Sequence, residues 1–245
     1  MKTAIITGTS SGIGEDFARQ LLELGWKVYG ISRRENKELV AHKNFRQLLI
    51  DLSKPLDKRL LTNAVGEAHI DLLVNNAGMV IMQDANVWDE ANYQQIFSVH
   101  YARPMELVCH LSQKLNGGMV ISTLTDSTHI GWPRYGLYGA PKAALWLHMK
   151  SFATENPEIT VYNLHPSGVD TPIIEAVGPE AVAERDEFMK TTDITTVFLQ
   201  LVTGAMQVPS GASIFLHNEW EAEEMQELGK DMFIYNVETE VLKKL

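Results

Sequence analysis

Tyr138 and Lys142 stand four positions apart in a stretch whose apolar spacing predicts a helix over 138–154. Residues at this spacing lie on one face of a helix, so the ammonium can sit beside the phenol. A neighbouring cation stabilises a phenolate, which makes a tyrosine a usable acid or base near neutral pH. The pair predicts proton exchange with a substrate oxygen, although the same spacing is also common among surface side chains.

A glycine-rich loop, Gly8-Thr9-Ser10-Ser11-Gly12-Ile13-Gly14, separates a predicted strand over 2–7 from a predicted helix over 13–24. Glycines let the backbone turn sharply and approach a pyrophosphate, which then binds the free N–H groups at the start of the helix. The placement predicts a dinucleotide site, with a structural turn as the alternative. The same residues also spell the G-x-S-x-G of a hydrolase elbow, but that fold needs strands and an oxyanion loop ahead of it.

The second predicted strand, 26–32, ends without the carboxylate that usually binds the adenosine ribose of a dinucleotide. Ser32, Arg33 and Arg34 stand there instead. A serine hydroxyl can donate to a 2′-phosphate, and an arginine can stack on adenine and pair with the phosphate. We therefore expect NADP(H) to be preferred over NAD(H), with a solvated turn as the alternative for the two arginines.

The elements that must position these residues alternate between apolar β-rich runs and stretches at helical spacing. Further strands are predicted over 45–51, 70–75, 119–124, 160–165 and 213–217, and further helices over 56–65 and 92–115. We expect an α/β fold, a Rossmann-type doubly wound parallel sheet of about seven strands with helices on both faces. No repeat or linker interrupts the pattern, so 1–245 is interpreted as a single dinucleotide-binding and catalytic domain.

The composition excludes several classes of protein. A formal net charge of −10 over 245 residues argues against binding nucleic acid through its phosphates. The apolar runs are far shorter than the roughly 20 residues of a membrane span, and we expect no signal peptide ahead of the first strand. The single cysteine, Cys109, suits a reducing compartment, so we expect a cytoplasmic protein. The histidines lack ligand spacing, and no metal site is expected.

Three motifs make the sequence resemble the short-chain dehydrogenase/reductase (SDR) family over nearly the whole chain. The family's T-G-x-x-x-G-x-G matches 7–14, its N-N-A-G matches 75–78 and its Y-x-x-x-K matches 138–142. The resemblance implies that Tyr138 protonates a carbonyl oxygen as hydride arrives from the nicotinamide, while Lys142 also holds the nicotinamide ribose. It thus implies NADP(H)-dependent reduction of a ketone or aldehyde, or the reverse oxidation.

The chain departs from the family at several positions. Thr125, 13 residues before Tyr138, takes the place of the family's substrate-orienting serine, with Ser122 as the alternative if the loop carries an insertion. His100 replaces the asparagine of the family's proton relay, and it either binds a water, titrates itself or packs within the helix. Pro141 replaces a serine and predicts a helix that starts close to Gly136 or Leu137, with the proline in its first turn.

The expected cofactor contacts come from the loop, from the strand ends and from the resemblance together. Asp51 also has a turn or helix cap as its alternative. The residues are Gly8, Ser10, Ser11, Gly12, Ile13, Gly14, Ser32, Arg33, Arg34, Asp51, Leu52, Asn76, Ala77, Gly78, Val99, Tyr138, Lys142, Pro166, Ser167, Gly168, Val169 and Thr171.

Residues 173–195 fall where the family places its substrate lid. They are acidic here, which disfavours polyanionic substrates and favours a neutral ketone or aldehyde. Residues 79–82, Trp132 and Tyr135 are candidates for the substrate wall.

The tail, 219–245, has Val237, Val241 and Leu245 at helical spacing, which predicts a packed or oligomer-facing helix. The resemblance implies a homodimer or homotetramer. A ketoacyl-type reductase of the same family is one alternative function. A non-catalytic dinucleotide-binding regulatory protein is another, motivated by the substitutions at Thr125, His100 and Ser167.

Overall fold

The computed structural model describes residues 1–217 and 232–244, and its strands form a single sheet. The strands are β1 (Thr3–Thr7), β2 (Lys27–Ser32), β3 (Phe45–Leu49), β4 (Leu72–Asn75), β5 (Met119–Thr123), β6 (Thr160–Pro166), β7 (Ala212–His217), β8 (Met232–Asn236) and β9 (Val241–Lys244). They lie in the order β3-β2-β1-β4-β5-β6-β7-β8-β9. All neighbours pair in parallel except β8 and β9.

Helices cover both faces of this sheet. They are α1 (Gly12–Glu23), α2 (Lys37–Val40), α3 (Lys58–Val65), α4 (Glu90–Phe97), α5 (Arg103–Leu111), α6 (Gly136–Glu155), α7 (Ile174–Val177), α8 (Pro179–Ala183) and α9 (Thr191–Thr203). On one face α1 packs on α9, with the rings of Phe17 and Phe198 stacked 3.9 Å apart. On the other face α5 and α6 bury Leu107, Leu145 and Met149 against the sheet.

The predicted Rossmann-type doubly wound fold is confirmed. Central strands such as β1 are buried along their whole length, as expected of a parallel sheet covered on both sides. The chain crosses from one side of β1 to the other between β3 and β4, so β1 lies between β2 and β4. Such a switch opens a crevice at the carboxyl ends of the strands, where ligands bind in this class of fold.

The strand count was wrong, because the described sheet has nine strands where about seven were expected. The predicted helix in the tail is likewise wrong over 232–244, which form β8 and β9. Asn236 closes the turn between them, since its Oδ1 accepts from the N–H groups of Glu238 and Thr239 at 2.9 Å each. This Asx turn and pairing with β7 outweigh a helical period of only three apolar residues. Residues 219–231 and Leu245 lie outside the described part.

The helix predicted over 92–115 is interrupted. A π-helical turn, Ser98–Ala102, separates α4 from α5, and a 3₁₀ turn, Ser112–Leu115, follows α5. Pro104 has no N–H to donate to the carbonyl of His100 four residues earlier. The Arg103 N–H bonds to Ser98 O, five residues earlier, rather than to Val99 O. The wider turn therefore falls at His100.

Helix α6 starts at Gly136, as the proline predicted, but Pro141 is its sixth residue and lies in the second turn. Helix α9 was not predicted, although Ile194, Phe198 and Leu201 carry the helical spacing that would have revealed it. Its first turn takes up the end of the predicted lid segment. Among the described residues, no helix has both the length and the apolar character to cross a membrane.

Candidate active site

A cleft of about 470 Å³ opens at the carboxyl ends of β1 to β6. Most of the residues predicted from the sequence line it. They are Gly8, Ser10, Ser11, Gly12, Ile13, Ser32, Arg33, Arg34, Asp51, Leu52, Asn76, Ala77, Gly78, Val99, Thr125, Tyr138, Lys142, Pro166, Ser167, Val169 and Thr171. Three predicted residues, Gly14, His100 and Gly168, are not part of this wall.

The glycine loop is fastened to the turn after β4. Thr7 Oγ1 accepts from the N–H groups of Asn76 and Ala77, both at 2.9 Å, and Asn76 Nδ2 donates to Thr7 O at 3.1 Å. Gly8 adopts φ +81°, and a Cβ there would come within 2.9 Å of Ala77 Cα. A Cβ on Gly14 would come within 2.4 Å of Gly8 O. Only glycines therefore permit this close approach of loop, turn and helix.

Lys142 lies buried beside Tyr138. Its Nζ is 4.8 Å from the centroid of the Tyr138 ring and donates to Leu124 O at 2.9 Å and to Thr123 O at 3.4 Å. Those carbonyls mark the end of β5, so the sheet holds the ammonium where α6 presents the phenol. Two of the three N–H donors of the lysine are used in this way, and the third remains for the phenol or a ligand.

His100 supports the other side of the phenol. Its Nε2 is 2.7 Å from Met79 O and 3.2 Å from Met79 N. A protonated Nε2 donates to the carbonyl and an unprotonated one accepts from the N–H, and the shorter contact assigns the proton to Nε2. The ring stands edge-on to Tyr138, with centroids 5.4 Å apart. Burial, and secondarily the charge of Lys142, lower the pKa of His100 to about 3. The imidazole is therefore neutral at neutral pH, which argues against titration there as its role.

The two candidate hydroxyls occupy different places. Thr125 lines the cleft, and its Oγ1 donates to Asp126 Oδ1 at 3.1 Å. Ser122 is completely buried on β5, in register with Asn163, and is not part of the cleft wall. The structure thus brings Thr125, rather than Ser122, towards Tyr138 and Lys142.

Ser32 lines the cleft, but its hydroxyl is already engaged. It accepts from Gln47 Nε2 at 2.9 Å and donates its single proton to Arg34 O at 2.5 Å. Donation from this hydroxyl to a 2′-phosphate would require the bond to Arg34 O to open, and it stays a prediction. Arg33 and Arg34 carry the positive charge of this end of the cleft, on the exposed turn that the Ser32 bond closes.

Asp51 forms the turn that was its alternative role, and its contact with a cofactor stays a prediction. It lines the cleft, and its Oδ1 accepts from the backbone N–H of Ser53 at 3.0 Å and from Ser53 Oγ at 2.8 Å. The bond from the Ser53 backbone, with a smaller effect of Arg33, lowers the pKa of this carboxyl. The turn therefore holds an ionised carboxylate where β3 ends.

The segment after β6 is tied to the end of the expected lid. Val169 forms a bridge with Met189, and a Cβ on Gly168 would come within 2.5 Å of Phe188 Cδ1. Asp170 contacts Arg185 Nε at 2.5 Å and Lys190 Nζ at 3.2 Å. The chain between these contacts folds as α7, α8 and a 3₁₀ turn, Arg185–Glu187.

Sequence reasoning missed several cleft residues, most of them apolar, because no motif singled them out. Of the candidate substrate wall, Met79 and Val80 line the cleft, whereas Ile81, Met82, Trp132 and Tyr135 do not. Ile173 of the lid segment lines it as well. The signal that would have found the others is their place beside predicted positions at strand ends. The missed residues are Ile31, Ile50, Thr123, Leu124, Pro172 and Ala176.

Comparison with known proteins agrees with this geometry. A family profile described as short chain dehydrogenase matches residues 2–181. The chain is 29% identical over 189 residues to hydroxynaphthalene reductase-like protein Arp2 of Metarhizium guizhouense, which is 71% of each protein.

Solved structures share the fold. An alcohol dehydrogenase from the archaeon Thermococcus sibiricus, complexed with 5-hydroxy-NADP, superposes with a TM-score of 0.76 at 23% identity, covering 90% of this chain and 100% of that one. A 3-ketoacyl-(acyl-carrier-protein) reductase from Brucella melitensis, complexed with NADH, superposes with a TM-score of 0.77 at 22% identity, covering 87% and 96%. The chain belongs to the short-chain dehydrogenase family, and it is an oxidoreductase of the kind that binds a nicotinamide dinucleotide.

Proposed function

We propose that this protein is an NADP(H)-dependent carbonyl reductase that interconverts a ketone or aldehyde and an alcohol, with Tyr138 as its general acid and base. The observation that carries the proposal is the Lys142 ammonium, buried 4.8 Å from the Tyr138 ring in the wall of a cleft that begins at the glycine loop. A protein that only bound a dinucleotide would have no need of an ammonium held against a phenol.

The residues present fit a dinucleotide. Ser10, Ser11, Gly12 and Ile13 line the cleft at the start of α1, and Ser11 makes no side-chain cap bond to α1 within the described structure. The free N–H groups at the start of α1 would hold the pyrophosphate, and Lys142 would hold the nicotinamide ribose. When bound, the nicotinamide supplies or accepts the hydride.

Proton transfer falls to the residues of this chain. Tyr138 donates its proton to the carbonyl oxygen in reduction and removes it from the hydroxyl in oxidation. Lys142 stabilises the phenolate that remains, since its charge is fixed at the end of β5 by two backbone carbonyls. Thr125 orients the substrate oxygen by its hydroxyl. His100 holds the phenol ring and the Met79 backbone in place without changing its own charge.

The preference for NADP(H) rests on charge at the end of β2. Arg33 and Arg34 line this part of the cleft, and the strand ends in Ser32 where a carboxylate would repel a 2′-phosphate. The two solved neighbours carry one cofactor of each kind, an NADP derivative and NADH, so they favour neither. For this chain, the proposed preference for NADP(H) therefore rests on Arg33 and Arg34.

The proposed substrate is a neutral ketone or aldehyde with apolar groups. Met79, Val80, Ile173 and Ala176 give the cleft an apolar wall. The lid segment, 173–195, is rich in carboxylates, which disfavour polyanionic acyl carriers through repulsion. These two features argue against the ketoacyl-type alternative.

We also propose that the protein acts in the cytoplasm as a homodimer or homotetramer. Its single cysteine suits a reducing compartment, and Leu147 projects from α6 with 68% of its surface exposed, which suits a contact with a second copy. Light scattering during size-exclusion chromatography measures the assembly, and a monomer at micromolar concentration contradicts it.

The test is oxidation of NADPH by the purified protein, followed by absorbance, with a panel of aromatic and aliphatic ketones, aldehydes and α-diketones. NADH and an acyl thioester serve as comparison arms. We expect turnover with NADPH and a neutral carbonyl that falls about a hundredfold or more in Tyr138→Phe. Tyr101→Phe is the matched control, because Tyr101 OH bonds to His148 on the surface. Tight NADPH binding without turnover across the panel contradicts the proposal and favours a regulatory binding protein.

A further inference from the structure

Gln47 lies behind the cofactor end of the cleft rather than in its wall. It stands on β3, in register with Gly30 of β2, and its amide reaches the loop that joins β2 to α2. The arginine loop, residues 33–35, carries Arg33 and Arg34 and is exposed to solvent. The amide of Gln47 bonds to the residues at both ends of this loop, Ser32 and Asn36.

Two backbone groups fix the orientation of the Gln47 amide. Nε2 lies 3.0 Å from Gly30 O, and Oε1 lies 3.5 Å from the N–H of Asn36. A carbonyl can only accept and an N–H can only donate, so nitrogen must face Gly30 and oxygen must face Asn36. Nε2 is also 2.9 Å from Ser32 Oγ, which therefore accepts.

This orientation decides where the Ser32 proton goes. Because Ser32 Oγ accepts from Gln47, its one proton is free to donate elsewhere, and it donates to Arg34 O at 2.5 Å. The bond closes the first end of the arginine loop. Gln47 thus acts, through Ser32, on the backbone of Arg34 without lining the cleft itself.

The second end of the arginine loop is tied to the glycine loop. Asn36 Nδ2 lies 3.4 Å from Thr9 O, and Gln47 Nε2 lies 3.4 Å from Thr9 Oγ1. Thr9 is completely buried between Gly8 and Ser10. The side-chain amides of Gln47 and Asn36 therefore set the position of the arginine loop relative to the loop that would hold the pyrophosphate.

We propose that Gln47 is a positioning residue that determines cofactor specificity, by holding the arginine loop where its guanidinium groups meet a 2′-phosphate. The inference rests on the proposed preference for NADP(H). Arg33 and Arg34 have long side chains with many rotamers, so a backbone held at both ends reduces the conformations that they must lose on binding. A cofactor without the 2′-phosphate makes no such contact, so its affinity does not depend on how the arginine loop is held.

Two variants separate the hydrogen bonds from the volume of the side chain. Gln47→Met keeps the length and removes every bond to Ser32 and Asn36. Gln47→Glu keeps the shape but can only accept, so Ser32 must turn its proton to the carboxylate and release Arg34 O. Because its charge also repels a 2′-phosphate, the neutral Gln47→Met is the deciding variant. Leu49→Ala, an exposed position two residues along β3, is the matched control.

The experiment is isothermal titration calorimetry of 2′,5′-ADP and 5′-AMP, which differ in the 2′-phosphate and lack the nicotinamide. We expect wild type and Leu49→Ala to bind 2′,5′-ADP more tightly. In Gln47→Met and Gln47→Glu the affinity for 2′,5′-ADP should fall about fivefold or more, with little change for 5′-AMP. The ratio of the activity with NADPH to the activity with NADH should fall in the same variants.

Equal losses for both ligands in the Gln47 variants would overturn the inference, because they would indicate a merely structural role. A preference for 2′,5′-ADP over 5′-AMP that is as large in Gln47→Met as in the wild type would also overturn it. A wild type that binds the two ligands alike overturns the cofactor preference as well, which separates the two failures. If neither variant folds, Ser32→Ala breaks the same link with Gln47 in place, and its full retention of the preference would overturn the inference.

Discussion

The imidazole of His100 donates to the carbonyl oxygen of Met79 at 2.7 Å, and this bond joins the π-helical turn to the segment that follows β4. The same ring stands edge-on to Tyr138, so one buried side chain fixes both the phenol and the backbone of a cleft-lining residue. The family's asparagine could make such bonds without a titratable group. A buried histidine, in contrast, has a cost in folding stability that appears only at low pH.

The first prediction concerns this cost. The pKa of His100 is about 3 in the folded protein, against 6.5 for an unperturbed histidine, so between these values the unfolded chain binds the extra proton. As the pH is lowered through this range, the free energy of unfolding should therefore decrease by about 1.4 kcal/mol per pH unit from this group alone. His100→Gln keeps a donor for Met79 O and removes the titration.

Urea unfolding of both proteins between pH 7 and about pH 4 measures the difference. Other groups, among them the buried His165, titrate in both proteins and cancel. The expected result is a wild-type curve that drops more steeply below about pH 6 than the variant curve. Parallel curves would show that His100 is charged, or exposed, in the folded protein.

The second prediction decides between the two candidate hydroxyls. Thr125→Val removes the hydroxyl at nearly constant volume, so kcat for carbonyl reduction should fall about a hundredfold, as when one donor to a reacting oxygen is lost. Thr125→Ser keeps the hydroxyl and should retain most activity. The control is Ser122→Ala, at a fully buried position of β5 three residues before Thr125, and it should leave kcat unchanged. The reverse pattern would assign the role to Ser122.

The third prediction tests the packing of the glycine loop. Gly14→Ala places a Cβ within 2.4 Å of Gly8 O, a backbone atom that cannot move without shifting the loop. Overpacking of this kind costs about 1–3 kcal/mol, and we expect that loss in urea unfolding together with weaker binding of NADPH. At Gly131 a Cβ meets nothing within 4 Å, so Gly131→Ala should change neither quantity. Full stability of Gly14→Ala would contradict the loop geometry.

Much of this site was within reach of the sequence because parallel strands end at a common edge. Once Gly8, Asn76 and Thr125 are placed at successive strand ends, the topology brings them together whatever the details of packing. Tyr138 and Lys142 follow from one helical turn. These relationships are local in the chain or are imposed by the order of the strands.

What escaped the sequence depends on partners that are distant in the chain. The proton of Ser32 is directed by Gln47 of the neighbouring strand, and no spacing rule predicts that pair. The hairpin of β8 and β9 depends on the Asn236 turn and on a free edge of β7. The break at His100 was visible in Pro104, but only as a lost donor and not as a π-helical turn.

The last prediction concerns the lid. Asp170 pairs with two cations of the lid segment, Arg185 at Oδ1 and Lys190 at Oδ2. Arg185 Nη2 also donates to Thr171 O at 3.4 Å. The bond from Lys190, followed by that from Arg185, lowers the pKa of Asp170. The carboxylate therefore stays ionised through the neutral range, and its contacts are lost only as the pH falls through that lowered value.

Asp170→Asn removes the charge and keeps the shape, so both cations lose their ion pair while the bridge between Val169 and Met189 remains. Thr171 and Ile173 line the cleft just beyond Asp170, and a looser lid should raise KM for the carbonyl substrate several-fold with a smaller change in kcat. The contacts are partly exposed, so salt should screen them in the wild type. Its KM should rise between low and high ionic strength, whereas the KM of Asp170→Asn should be high at both. Glu180→Gln, an exposed carboxylate on α8, serves as the control and should follow the wild type. An Asp170→Asn enzyme with wild-type KM and wild-type salt dependence would show that these ion pairs do not hold the lid.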